Sequence, residues 1–211
     1  TPKFKPLGNW WLEHVRRRQF ECMVFAPGQE IPDAYNLWKG FAVEPVPGDW
    51  TLFKEHIQDV VCAGDEACFR YLICWMARCV QELTTPGQVA IVLRGEKGSG
   101  KSIFAETFGR VFGQHFLPTA NADHIAGKFN AHLRNVVLVF GDEAFFAGDK
   151  NHERLLKALV TQEELSFEAK HRDVATGRNN IHLILASNSH WVVPAGGLER
   201  RFLVLDVSSE R

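Results

Sequence analysis

Eight consecutive residues, Gly95-Glu96-Lys97-Gly98-Ser99-Gly100-Lys101-Ser102, fit the pattern GxxxxGK[ST]. Its glycines let a backbone curl until successive N–H groups converge on phosphate oxygens. In such a cradle Lys101 reaches the β- and γ-phosphates of a nucleoside triphosphate such as ATP, and the Ser102 hydroxyl binds Mg²⁺. The positive end of a helix expected to start on Lys101 adds to the field. The run follows Val89-Ala90-Ile91-Val92-Leu93, apolar throughout as a strand buried on both faces must be. All eight residues, Gly95, Glu96, Lys97, Gly98, Ser99, Gly100, Lys101 and Ser102, are candidate nucleotide ligands.

Val136–Phe140 reads as a second buried strand and is followed by Gly141-Asp142-Glu143. A carboxylate there stands in the crevice at the carboxyl ends of the strands, where α/β sheets bind ligands. Asp142 would join Ser102 in the Mg²⁺ shell and Glu143 would polarise the attacking water. A third apolar run, Ile181–Ala186, ends in Ser187-Asn188, and Asn188 could sense the γ-phosphate or that water. Arg200 and Arg201 precede a last apolar run, Phe202–Val207. An arginine in that position is either a finger inserted into a neighbouring subunit's site or a plain surface residue.

Between these strands, residues 164–180 hold two short strand-like pieces around a polar segment with Gly177, the pattern of a β-hairpin. Lys170, His171, Arg172 and Arg178 make its tip locally basic, while Glu163, Glu164, Glu168 and Asp173 temper that charge. From the residues alone this is no more than a solvated loop.

The elements that must position these groups follow from composition and periodicity. At 211 residues, 45% of them hydrophobic, the chain can hold one sizeable domain with a smaller attachment, and nothing in it suggests disorder. Residues 1–48 form a mixed lead segment with Trp10, Trp11 and an Arg16-Arg17-Arg18 run, closed by the Pro45/Pro47 connector. Residues 49–84 read as a helical hairpin. Asp49 caps a helix with Phe53, Ile57, Val60 and Val61 on one face, Gly64 ends it, and a second helix starts at Asp65. From residue 85 to 211, strand, loop and helix alternate, which predicts an α/β core: a central, mainly parallel sheet flanked by helices.

Other classes are disfavoured by composition. The formal net charge is −1, so nucleic-acid contact must come from a local basic patch or a ring of patches. Cys22, Cys62, Cys68, Cys74 and Cys79 form no CxxC pair and read as small packing residues in a reducing compartment. The nine histidines form no zinc-binding pattern. No membrane span or signal segment is visible, which points to the cytoplasm. The chain starts at Thr1 and stops just after an apolar run, as a piece of a longer polypeptide would.

The order of these parts resembles that of superfamily 3 helicases, P-loop motors of AAA+ type. It is closest to the helicase portion of the primase-helicases of phages, plasmids and mobile elements. Tyr35-Asn36-Leu37-Trp38-Lys39-Gly40-Phe41-Ala42 and Ser187-Asn188-Ser189-His190-Trp191 add to the likeness, which spans about residues 35–207. The resemblance implies Walker A roles for Lys101 and Ser102 and Walker B roles for Asp142 and Glu143. It implies a sensor role for Asn188 and an arginine finger at Arg201, with Arg200 competing. Lys170, His171 or Arg178 would face a translocating strand. It also implies a bacterial or phage-infected cell, single-stranded DNA as partner, a primase or polymerase part on the same polypeptide, and a ring, expected to be a hexamer. Six modest basic tips around a channel would offset the low net charge. The hairpin departs from the family in lacking an aromatic at its tip.

The leading expectation is therefore an ATP-dependent DNA helicase or translocase that hydrolyses ATP at subunit interfaces. The alternative is a replication initiator or loader that binds ATP without unwinding. A small-molecule kinase is disfavoured, because Glu143 and Asn188 suit water activation and no arginine-rich lid is visible.

Overall fold

The computed structural model describes residues 4–143, 150–188 and 200–209. The chain divides into two compact units, residues 1–39 and 40–211. In the first, helix α1 (Leu7–Glu13) buries none of its residues, and strands β1 (Cys22–Val24) and β2 (Ala34–Asn36) pair in parallel. The Asn36 amide ties the segment between them, donating to the carbonyls of Ala26 and Gln29 and accepting from the Ala26 N–H.

In the second unit, helix α2 (Thr51–Glu55) passes without a break into a π-helical turn, His56–Val61. This differs from the single regular helix expected from the Phe53/Ile57/Val60/Val61 spacing. The wide turn is closed by bonds from Cys62 N–H to the Ile57 carbonyl and from Gly64 N–H to the Gln58 carbonyl. Helix α3 (Glu66–Gln81) is capped by Asp65, whose carboxylate accepts from the N–H groups of Ala67 and Cys68.

Strand β3 (Ala90–Arg94) leads through residues 95–100 to α4 (Lys101–Gly109), which begins on the expected residue. A 3₁₀ turn (Arg110–His115) follows, then β4 (Phe116–Thr119), α5 (Asp123–Ala126), a second 3₁₀ turn (Ala131–Asn135) and β5 (Leu138–Asp142). The remaining elements are α6 (Lys150–Thr161), the antiparallel pair β6 (Glu164–Phe167) and β7 (Ala175–Arg178), β8 (His182–Ser187) and β9 (Phe202–Asp206).

Five strands form one sheet in the order β4-β5-β8-β3-β9, and every pairing is parallel. Its central strand β8 is buried along its whole length, so it reads as an unbroken apolar run. Ala90, Val92, Val139, Leu183 and Leu185 pack on one face with Leu156, Leu159 and Val160 of α6. The alternate residues, among them Ile91, Leu93, Phe140 and Ile184, are also buried. His182 shares that second face: it is fully buried, with its ring edge-on to Trp75, and burial pushes its pKa down to about 4.

Cys62 and Cys79 are buried, as packing residues should be, but Cys22 and Cys74 are exposed. Among the described residues no helix is long and apolar enough to cross a membrane.

Candidate functional site

The parallel sheet collects the candidate groups at the carboxyl ends of three neighbouring strands. Residues 95–100 leave β3, Asp142 ends β5, and Asn188 follows β8, which lies between the other two. Sequence order hides this adjacency: the strand carrying Asn188 comes last of the three but sits in the middle.

Gly98 and Gly100 take left-handed φ values of +84° and +96°, which side-chain-bearing residues seldom adopt. Gly100 is restricted a second time, because a Cβ on it would lie 2.5 Å from the His56 ring. Lys101 is the first residue of α4 and only 6% exposed. Its Nζ donates to the carbonyls of Gly95 (2.7 Å) and Glu96 (2.8 Å) and to Asn188 Oδ1 (2.9 Å). Burial pulls its pKa below that of an ordinary lysine, and the carboxylates of Glu143 and Asp142 oppose that shift.

The Ser102 hydroxyl stands 3.4 Å from Asp142 Oδ2. Beside it, Glu143 has a φ of +54°, a conformation that costs a residue with a Cβ on the order of 1–3 kcal/mol and concentrates at functional sites. Three contacts hold it there. Its N–H donates to the Ala186 carbonyl (2.9 Å), its Oε1 accepts from the Asn188 N–H (2.7 Å), and its Oε2 accepts from the Ser187 hydroxyl at 3.4 Å. Together these residues line a cleft of about 500 Å³. Lysine, hydroxyl, two carboxylates and an amide thus converge on one side of a glycine loop. The arrangement can neutralise phosphate charge, hold a hard cation and orient a water.

Arg200 and Arg201 are not part of this cluster. Arg201 precedes β9, and its carbonyl accepts from the Ala90 N–H at the start of β3. It therefore lies at the opposite end of a five-residue strand, roughly 15 Å away at about 3.3 Å per residue. Within one chain neither arginine reaches the cleft from there.

The hairpin forms as expected, with Leu165 and Phe167 turned into the core. Lys170, His171 and Arg172 occupy its exposed tip. Arg178 does not: it pairs in register with Glu164 at the root, so the tip carries three basic groups rather than four. Sequence reading also missed the support for this hairpin. The Asn130 amide donates to the Ser166 carbonyl and accepts from the Glu168 N–H, and Lys128 pairs with Glu168. Phe129, between Lys128 and Asn130 in the chain, is 49% exposed. His56, touching Gly100, was missed as well, since no motif marks it. Residues 189–191, part of the resemblance above, lie outside the described residues, as do Leu198 and Glu199.

Comparison with known proteins gives this geometry relatives. A family model described as a family of unknown function, DUF5906, matches residues 93–201, just over half of the chain. The chain is 25% identical over 140 residues to the DNA primase-polymerase of Nitratiruptor phage NrS-1, covering 64% of this chain and 19% of that protein. Solved apo structures of the NrS-1 C-terminal region share its fold. Two of them superpose with TM-scores of 0.69 and 0.74 at 22% identity, over 88% of this chain and 47% and 46% of theirs. The chain thus spans about a fifth of the curated relative's length and just under half of the solved chains.

Proposed function

Because the chain belongs to DUF5906 and joins a glycine loop to two carboxylates and an asparagine, we propose that it is an Mg²⁺-dependent ATPase of AAA+ type. On this reading it is the motor part of a phage or mobile-element replication protein of the superfamily 3 kind, moving single-stranded DNA.

The observation that carries the reading is the position of β8. Inserted between β3 and β5, it lets Asn188 bond Lys101 through its side chain and Glu143 through its backbone. A residue in contact with both the phosphate-binding lysine and the water-activating carboxylate can report whether the γ-phosphate is attached. A kinase transferring to a bound acceptor has no use for that link.

The backbone N–H groups of residues 95–102 and the Lys101 ammonium would grip the triphosphate. Ser102 and Asp142 would hold the Mg²⁺, and their hydroxyl and carboxylate oxygens, 3.4 Å apart, are the hard donors that this ion takes while keeping several waters. When bound, the ion neutralises charge on the phosphates. Glu143 would accept a proton from the attacking water, held at its angle by the contacts to β8.

Arg201, or Arg200, would complete the site of a neighbouring subunit, since neither can serve its own. That requires a neighbouring subunit, expected to belong to a hexameric ring. The exposed tip at Lys170, His171 and Arg172, together with Phe129, would meet the DNA by charge and by stacking. The similarity to a DNA primase-polymerase over a fifth of its length supports a primase or polymerase part on the same polypeptide. Strand displacement on a forked duplex, wild type against Lys101→Ala, tests the proposal. ATP-dependent displacement lost in the variant is expected. Hydrolysis without displacement would favour an initiator or loader.

A further inference from the structure

A cavity of about 580 Å³ lies apart from the cleft of Lys101 and Glu143 and shares no described residue with it. It is bounded by α5, α6, the first strand of the hairpin and the residue before β9. Ile125, Leu159 and Leu165, all buried members of the core, line its floor. Three cations line it too. Arg154 and Lys157 stand three residues apart on α6, hence on one face of that helix, and Arg201 stands across from them on the approach to β9. Among the described residues no carboxylate and no aromatic ring lines this cavity. In a chain whose net charge is −1 that is a one-sided distribution.

We infer that this cavity docks an acidic peptide segment of a partner protein, with an apolar side chain seated over Ile125, Leu159 and Leu165 and carboxylates held by the rim. Burial of the apolar anchor supplies attraction without direction. The planar guanidinium of Arg154 supplies direction, because its paired N–H groups match a carboxylate. Lys157 is already paired with Glu153 one turn earlier, so exposed Arg154 is the cation assigned to the incoming acid. A nucleic-acid strand suits the wall less well: sites for single strands set aromatic rings among the cations for bases to stack on, and this wall has none. A small monoacid would use one cation, whereas cations on both α6 and the approach to β9 suit a segment with several carboxylates.

The walls are in place before a partner arrives. Fully buried Asn179 donates to the carbonyls of Leu159 (2.7 Å) and Gln162 (2.8 Å), pinning the end of α6. The Asn130 amide holds the hairpin strand through the Ser166 carbonyl at 3.0 Å. A preformed site lowers the ordering cost of binding. The docking site needs neither ATP nor a second copy of the chain, and it turns on Arg154 rather than on Arg201.

Fluorescence anisotropy of the full chain, without nucleotide, tests the assignment with a fluorescein-labelled peptide of four aspartates followed by Leu-Phe. Wild type should bind it saturably, one peptide per chain. Replacing the aspartates by asparagines, or Leu-Phe by Gly-Gly, should weaken binding about tenfold or more in each case. Arg154→Ala should weaken it about tenfold, and so should Gln162→Glu, which adds an acid to the cavity wall. Both positions are exposed, where substitution leaves the fold intact. Arg110→Ala, an exposed cation outside the cavity, should stay within about twofold of wild type. No saturable binding by wild type, equal binding of the asparagine peptide, or an affinity unchanged in both Arg154→Ala and Gln162→Glu overturns the proposal. A loss in Arg110→Ala as large as that in Arg154→Ala also overturns it, since the attraction would then be unspecific. If a labelled oligothymidylate loses affinity in Arg154→Ala and the peptide does not, the cavity belongs to a DNA path and the peptide assignment falls.

Discussion

Lys101 Nζ lies 2.9 Å from Asn188 Oδ1, although 87 residues separate them in the chain. The contact exists because β8 enters the sheet between the strand before the glycine loop and the strand that ends in Asp142. Through the N–H of the same asparagine, the contact extends to Glu143. The lysine of the glycine loop and the Glu143 carboxylate therefore meet at one residue.

That link should couple Lys101 and Asn188 energetically. Asn188→Ala should lower ATP turnover by about 10- to 100-fold, with a smaller effect on ATP affinity. In the Lys101→Ala background it should cost almost nothing more, as residues acting as a unit are not additive. A double-mutant cycle on kcat/KM reads the coupling; additive losses would mean that the two act separately.

Glu143→Gln keeps a hydrogen-bond acceptor for the Asn188 N–H but removes the carboxylate proposed as base. Hydrolysis should fall by roughly 10²- to 10⁴-fold while MgATP still binds within a few-fold of wild type. Single-turnover hydrolysis and equilibrium binding, measured side by side, check this.

Arg201 stands roughly 15 Å from the cleft of its own chain, so on the proposed reading it would complete a neighbour's site. Mixing Arg201→Ala chains into wild type should lower activity by more than the fraction added. A strictly proportional fall would remove the arginine from the site.

The hairpin tip should govern the response to DNA. Phe129→Ala should weaken single-stranded DNA binding about 5- to 150-fold, since stacking is worth about 1–3 kcal/mol per base, and Lys170→Ala or His171→Ala should weaken it and flatten its salt dependence. Arg178→Ala, at the root opposite Glu164, should do much less. Fluorescence anisotropy with a labelled oligonucleotide separates the two groups.

His182 makes stability depend on pH. Its pKa is near 6.5 when unfolded and about 4 in the fold, so between these values the unfolded chain binds the extra proton. Stability should be complete above about pH 6.5 and fall as pH drops toward 4, by on the order of 3 kcal/mol at about 1.4 kcal/mol per unit. Urea unfolding at pH 7 and pH 4.5 should show this loss reduced in His182→Leu.

How much of this could be read from sequence depended on whether the signal was local. The glycine loop, the start of α4 and the acids at the end of β5 lie in short runs whose composition dictates their geometry. Strand β4 was overlooked because Pro118 interrupts it; an edge strand paired only with β5 tolerates that proline. The contact of His56 with Gly100 could not be singled out, because it joins a π turn to a glycine 44 residues away. Phe129 lies between Lys128 and Asn130, whose partners are both in the hairpin. The central position of β8 comes from long-range pairing, which no window of sequence contains.

The steady-state ATPase rate, with and without single-stranded DNA and across a range of protein concentrations, tests the central claim most directly. An intersubunit motor predicts a rate per chain that rises with protein concentration, increases several-fold with DNA and disappears in Lys101→Ala. A rate indifferent to DNA and to concentration, or one that survives Lys101→Ala, would contradict it.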